Sequence, residues 1–461
     1  MILGIAAGKI SLFNHALLFS PFWGGIDLCL IAHFFISWFR SIQKTGWKID
    51  FWYLTLFIGI VQHLLFLYPF NASPSNHLAM GPLQERLYPY IDQSFMIGVI
   101  GYIFIWIGRF FCTHTLIRTG KPTRILSLPF YTPLAKVIEN NVKSLSAFLT
   151  LYTVSLGLGL ILLTIQLSNG FFFNGRDFFL SSEPLRPFFN FILSLFLVLF
   201  FFISLRFAQI DRKKYLLFFI PLFILSLCWG IRSIILGGLL QLWMQTVFYK
   251  EGKVGLLKSV FFLSCLLISA VVIGNIRAGS LALLQDLYAI PFSYFYGNNF
   301  SDTRDFACIL SNWDGEFLYG KSYIAGILSF IPRALLSIRE EWGICMLSNN
   351  WIGFDSTVMP GLRPGLFGEA FLNFGWFGVA PIGFLFGFCL RYADLKIKEQ
   401  MALSKDLIRG YSHSVVFLLA SSLTLTVGLW IFYVFILINI LLIPFRYLAG
   451  FRGIRKTRFA G

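Results

Sequence analysis

GFDSTVMPGLRPGLFGEAFLNFGWFGVAPIGFLFGFCL, residues 353–390, decides how the chain is to be read. An apolar span begins near Leu366 and runs to Leu390. Pro360, Gly361, Arg363, Pro364 and Gly365 stand just before it, and Glu369 and Asn373 fall inside its first turns. An ionisable side chain within a membrane segment costs roughly 2.5–3.5 kcal/mol on insertion scales, which favours a water-filled or substrate-lined cavity over a lipid-facing surface. Glu369 therefore has one of two roles: a functional carboxylate in such a cavity, or a paired carboxylate that fixes helix packing.

Working outward, the whole chain has the composition that this stretch implies. Of its 461 residues 57% are hydrophobic and 13% charged, with a mean hydropathy of +0.75; a soluble domain of this length is excluded. A span needs about 20 apolar residues to cross a hydrocarbon core of roughly 30 Å, and the chain offers about eleven such segments. Long apolar runs without a short alternating pattern predict helices and exclude a barrel. The expected fold is all-α: a polytopic membrane bundle, a single integral membrane domain over 1–461. The start has a weak basic region and no small-residue cleavage site, so its first segments are expected to stay. Residues 1–20, broken by Lys9, Asn14 and His15, take no assigned place.

The predicted spans are 21–39, 50–69, 91–111, 145–167, 187–207, a pair within 215–249 broken at Gly230–Ser233, one ending near Arg277, 366–390, and a close pair within 411–447. Residues 278–365 form one long loop, far above the usual connection length and so expected to be folded and functional. Lys and Arg gather in the alternate connections, at Arg40, Lys44 and Lys48, at 112–144, at 211–214, at 250–258, at 391–410 and at the C-terminal end. The other connections hold acids in slight excess. That asymmetry places the basic connections in the cytoplasm. The net charge of +16 is thus a topology signal with contact to anionic lipid headgroups, and nucleic acid is not an expected partner.

On the outer side the basic minority is nearly all arginine: Arg176, Arg186, Arg232, Arg277, Arg304, Arg333 and Arg363. A planar guanidinium binds phosphate or carboxylate in bidentate fashion and keeps its charge when partly buried. A diphosphate at the membrane surface fits that chemistry; each arginine singly also fits a headgroup contact or a salt bridge to Asp177, Asp302 or Asp305. Arg232 and Arg277 end successive crossings and are expected at similar depth. Tyr296, Trp313, Tyr319 and Trp351 could stack on sugar faces or belong to an interfacial aromatic belt.

Other chemistries drop out. No GxxxxGK[ST] loop or convincing GxGxxG is present, so no nucleotide is implied. The six histidines show no metal spacing, and only His77 lies in an outer loop; neither metal nor cofactor is expected. Seven cysteines occur without a CxxC. Cys308 and Cys345 share the long loop and could pair in an oxidising compartment.

The Gly-Ile-Arg at 230–232, the arginine closing the next crossing at 277, the long loop and then RPGLFGEAFLNFGWFGV at 363–379 resemble the Wzy polymerases, which join the oligosaccharide repeat units of O-antigen, enterobacterial common antigen and capsule. The resemblance covers roughly residues 165–395 and is most specific in its last motif. It implies a bundle similar to other C-type glycosyltransferases in the bacterial inner membrane, with its site facing the periplasm. It also implies substrates carried on undecaprenyl diphosphate, with a chain-length regulator as a further partner. Carried onto this sequence, it implies that Arg176, Arg232, Arg277, Arg304 and Arg363 serve the diphosphate. Glu369 is the first choice for general base and Asp305 the second, with Tyr296, Trp313 and Asn373 toward the glycan.

Rival readings are separable. An O-antigen ligase shares the helices and the arginines, but that family uses a histidine in its long loop, and residues 278–365 contain none. Polyprenol-phosphate-dependent glycosyltransferases carry paired acids in their first outer loop, where this chain has only Glu85. A lipid-linked oligosaccharide flippase should show two-fold internal repeats with matching broken helices, which are not evident.

Overall fold

The computed structural model describes residues 21–46, 51–57, 84–119, 243, 254–277, 302–328, 331, 337–354 and 361–404. These residues form helices and short connections, with no strand among them. In chain order the helices are α1 (Pro21–Thr45), α2 (Phe51–Leu56), α3 (Gln84–Thr119), α4 (Leu256–Arg277), α5 (Asp302–Asn312), α6 (Lys321–Ile327), α7 (Ile338–Trp342), α8 (Ile344–Ile352), α9 (Gly365–Phe374) and α10 (Trp376–Ser404). Segments of α1, α3 and α10, namely Gly25–Thr45, Tyr90–Thr115 and Trp376–Leu395, are long and apolar enough to cross a membrane. The chain forms two compact units. One comprises 1–123, 288–398 and 414–430, and the other the remainder, which includes α4. The expected spans at 145–167, 187–207, 215–249 and 411–447, and residues 1–20, lie outside the described residues.

Within the first unit α1, α2 and α3 are joined by aromatic side chains. Trp23 meets Phe95 near the start of α1 and α3. Further along, His33 stands edge-on to Trp106 at 4.6 Å, and Trp38 stacks on Tyr53 of α2. Early pairs with early and late with late, so α1 and α3 run in the same direction. Polar side chains on these apolar helices bond locally: Thr113 Oγ1 donates to the Arg109 carbonyl and Thr115 Oγ1 to that of Phe111. A hydroxyl four residues ahead of a carbonyl is thereby satisfied without a second helix.

Small residues let α10 approach α3 backbone to backbone. A Cβ on Gly383 would come within 2.7 Å of the Gly101 carbonyl oxygen, and one on Gly387 would overlap the Ile105 carbonyl. Gly108 in turn faces the Phe384 carbonyl. Close backbone contact across small residues is the usual device for packing membrane helices, since lipid tails supply no hydrophobic drive between them. Farther along, Arg391 Nε donates to Thr113 Oγ1 at 3.2 Å. The order 383, 387, 391 against 101, 105, 113 makes α10 parallel to α3 as well.

The three crossings therefore share one polarity. Their C-terminal ends carry Arg40, Lys44, Arg109, Arg391 and Lys398, with Asp394 buried between Arg391 (2.6 Å) and Lys398 (3.0 Å). The opposite end receives the long loop. Ser94 near the start of α3 donates to the Thr303 carbonyl of α5 at 2.7 Å, in a stretch whose described residues form α5 to α8.

One expected element is different. The apolar run from Leu366 to Leu390 is not a single helix: it is interrupted at Gly375, whose φ of 61° and ψ of −149° lie in a region essentially open only to glycine. The crossing helix starts at Trp376 and continues past Leu390. Gly378 lets the two pieces close on one another, because a Cβ there would overlap the Ala370 carbonyl. Glu369 and Asn373 accordingly sit on α9, ahead of the membrane-crossing segment.

Candidate functional site

An α-helix leaves its last carbonyls without intrahelical donors. In α9 the main chain of a neighbouring loop takes them up: Leu318 N–H donates to the Leu372 carbonyl at 2.9 Å and Tyr319 N–H to that of Asn373 at 3.0 Å. Gly375 N–H returns to Phe371 at 2.7 Å. Residues 318–320 reach this position through two left-handed conformations, Tyr319 at φ 45° and Gly320 at φ 88°. Positive φ is costly for a bulky residue such as tyrosine, so the docking contacts hold Tyr319 there.

The same segment delivers Ser322 to Glu369. Gly320 N–H donates to Asn373 Oδ1 at 2.9 Å, which fixes the amide orientation. Asn373 Nδ2 then donates to the Glu369 carbonyl at 2.8 Å and to Ser322 Oγ at 2.7 Å. The Ser322 hydroxyl proton is left for Glu369 Oε1, 2.7 Å away. All three side chains are buried, Glu369 at 2% exposure. Glu369 and Asn373 are thus brought together, through two residues that the sequence reading did not single out, Ser322 and Gly320. Their distance in sequence, 47 and 53 residues, carries no local signal.

Tyr323 borders this cluster. Its ring stacks on Phe374, and its hydroxyl is buried without a hydrogen-bond partner. Burial, and then the charge of Glu369, push its pKa above the usual tyrosine value. The phenol therefore stays protonated beside the carboxylate.

The second cluster lies at the start of α5 and α9. Arg304 and Asp305 form a buried ion pair, Nε and a terminal nitrogen to Oδ1 at 3.2 and 3.1 Å. Both side chains are nearly inaccessible. Arg363 is open, with 51% of its side chain exposed, and stands 3.8 Å from Asp302 Oδ1. Asp302 also abuts Gly365, where a Cβ would lie 3.3 Å from Oδ2. Since Asp302 opens α5 and Gly365 opens α9, the carboxylate sits where the starts of two helices and Arg363 meet. Phe306 of α5 packs on Phe371 of α9 and links the two clusters.

Trp313 is half-buried against Phe317 and Phe371, with its indole N–H donated to the Glu316 carbonyl at 3.0 Å. Cys308 and Cys345 are not joined by a disulfide. Arg277 is the last residue of α4, in the other unit; Arg176, Arg232 and Tyr296 lie outside the described residues. Among the described residues no group of three or more potential ligands could hold a metal.

The fold and this polar cluster define an all-helical integral membrane protein with a folded loop packed over one end of its crossing helices. No family model, curated protein or solved structure matches the chain.

Proposed function

We propose that the chain is a polysaccharide polymerase of about eleven transmembrane helices, with an architecture like the C-type glycosyltransferases. It transfers a growing glycan from undecaprenyl diphosphate to a lipid-linked repeat unit at the outer leaflet of the bacterial inner membrane. The observation that supports this most is the buried carboxylate of Glu369, on a short helix broken off from its membrane span. The hydroxyl of Ser322 and the amide of Asn373 hold it in place, with open Arg363 at the start of the same helix.

In the reaction, a hydroxyl of the incoming unit attacks the anomeric carbon of the donor. The carbon–oxygen bond to the diphosphate breaks and its electron pair leaves with the diphosphate. The hydroxyl proton passes to a carboxylate. Glu369 is the better base, because Asp305 is already engaged by Arg304. Charge grows on the departing diphosphate, so a guanidinium and a helix N-terminus placed there stabilise the transition state more than the ground state. Arg363 and the start of α9 supply both, with Asp302 as the counter-ion that the substrate replaces. For Arg176, Arg232 and Arg277 the resemblance to the Wzy polymerases implies a diphosphate contact as well. The basic ends of α1, α3 and α10 face the cytoplasm in this reading, by the excess of Lys and Arg.

Glu369→Gln, expressed at the normal level in the membrane, is expected to abolish the ladder of chain lengths and leave single-repeat glycan on the outer face. An unchanged ladder removes Glu369 from the role. Unit glycan trapped inside the cell would point to a flippase instead.

A further inference from the structure

At the basic end of the crossing helices Arg109 sits in an aromatic box. Its guanidinium carbon lies 4.6 Å from the ring centre of Trp106, 4.8 Å from that of Trp52 and 5.0 Å from that of Tyr53. Cation–π attraction of this kind is strongest toward tryptophan and when the pair is desolvated. One terminal nitrogen donates to the Tyr53 hydroxyl at 3.1 Å, and that hydroxyl donates in turn to the Ser37 carbonyl at 2.9 Å. The planar ion is therefore held by rings from α2 and α3 and tied to α1.

Rings satisfy a guanidinium's faces, whereas its five N–H donors lie in its plane. Tyr53 uses one of them. Among the described residues no carboxylate pairs with Arg109, in contrast to Arg304 and Arg391, each of which has an aspartate within 3.1 Å or less. A second donor stands in the same box: Trp52 is 0% exposed, yet its indole N–H finds no acceptor. A partly buried cation and a buried N–H without an acceptor call for the same complement, an anionic oxygen.

The setting says where that oxygen comes from. Arg109 lies within a crossing segment, Tyr90–Thr115. The next residue, Phe110, is an exposed large apolar side chain, part of the surface that acyl chains cover. Arg40 and Lys44, both exposed, follow on α1 within two turns of Ser37. A free ion in water would gain nothing from the apolar flank, whereas a phospholipid satisfies both parts at once.

We propose that Arg109 and Trp52 form a phosphate site for an anionic membrane phospholipid in the leaflet at the basic end of the bundle. The phosphate takes the in-plane donors of Arg109 and the Trp52 N–H, and the acyl chains lie along Phe110. This lipid binds at the end remote from Glu369 and plays no part in the chemistry assigned to it.

The test uses the full chain in nanodiscs of equal phosphatidylglycerol and phosphatidylethanolamine, with native mass spectrometry counting the lipids that stay bound on release. The wild type should keep one phosphatidylglycerol in preference to phosphatidylethanolamine by roughly fivefold, the ratio that one favourable basic contact supplies. Arg109→Gln should lose that preference, and Trp52→Phe, which keeps a ring and removes the N–H, should reduce it. Arg40→Gln with Lys44→Gln should leave it in place. Equal retention of the two lipids by the wild type overturns the proposal without recourse to any variant, and so does full preference in folded Arg109→Gln. A second arm adds inorganic phosphate to the chain in detergent: no thermal stabilisation supports a lipid source, whereas stabilisation lost in Arg109→Gln would assign the site to free phosphate and overturn the lipid.

Discussion

Ser322 is chemically the plainest member of the polar cluster, and its oxygen is where the proton directions meet. It receives one N–H from Asn373 and gives its own proton to Glu369. Ser322→Ala strips a buried carboxylate oxygen of its donor, and orphaning a buried partner costs about 1–3 kcal/mol, more when it is charged. The melting temperature of the solubilised chain should fall accordingly, with the loss smaller in Glu369→Gln/Ser322→Ala than the two single changes summed. Cys308 offers a pH readout nearby. Burial first, then the charge of Asp305, raise its thiol from 9.0 to about 11 against the opposing pull of Arg304. A raised thiol pKa favours the folded state fully below the unfolded value and loses that contribution as pH climbs through the folded one. Maleimide should therefore leave folded Cys308 unlabelled near neutral pH, and stability should decline between pH 9.0 and about 11. At this scale the sequence reveals Glu369, because a carboxylate in an apolar run is conspicuous. It does not reveal Ser322, since a serine in a loop is unremarkable until tertiary contact gives it a partner. For Arg304 the salt bridge to Asp305 was one of the alternatives open in the sequence, and it is the one the fold takes.

Among the elements, the break between α9 and α10 matters most for the site. One continuous helix over 366–390 would carry Glu369 within the crossing. The glycine at 375 instead ends α9, exposes its last carbonyls to Leu318 and Tyr319, and so creates the place where the Ser322 segment docks. Gly375→Ala places a side chain in a backbone region reserved for glycine and sets its Cβ about 3.1 Å from Phe317, with an expected penalty of about 1–3 kcal/mol. Both the melting temperature and the polymer ladder should suffer, although the substituted residue touches none of the proposed reacting groups. Helix type and approximate placement were readable for α1, α3 and α10, where length and hydropathy dominate. The interruption was not, because glycine is common in membrane helices and only its dihedral angles distinguish a packing glycine such as Gly387 from a helix end.

For the whole molecule, the composition alone announced a membrane bundle, and the basic ends of α1, α3 and α10 gather on one side as the charge asymmetry requires. That these three are parallel is implied by the expected topology, in which each ends in a cytoplasmic connection, and it is carried in the fold by contacts such as Gly383 with Gly101 and Trp23 with Phe95. Three passages in one sense set the C-terminal ends of α1, α3 and α10 on one face and their N-terminal ends on the other. Enzyme reporters fused after Thr119 and after Lys398 should thus light up in the same compartment, and one inserted after Asn312 in the other.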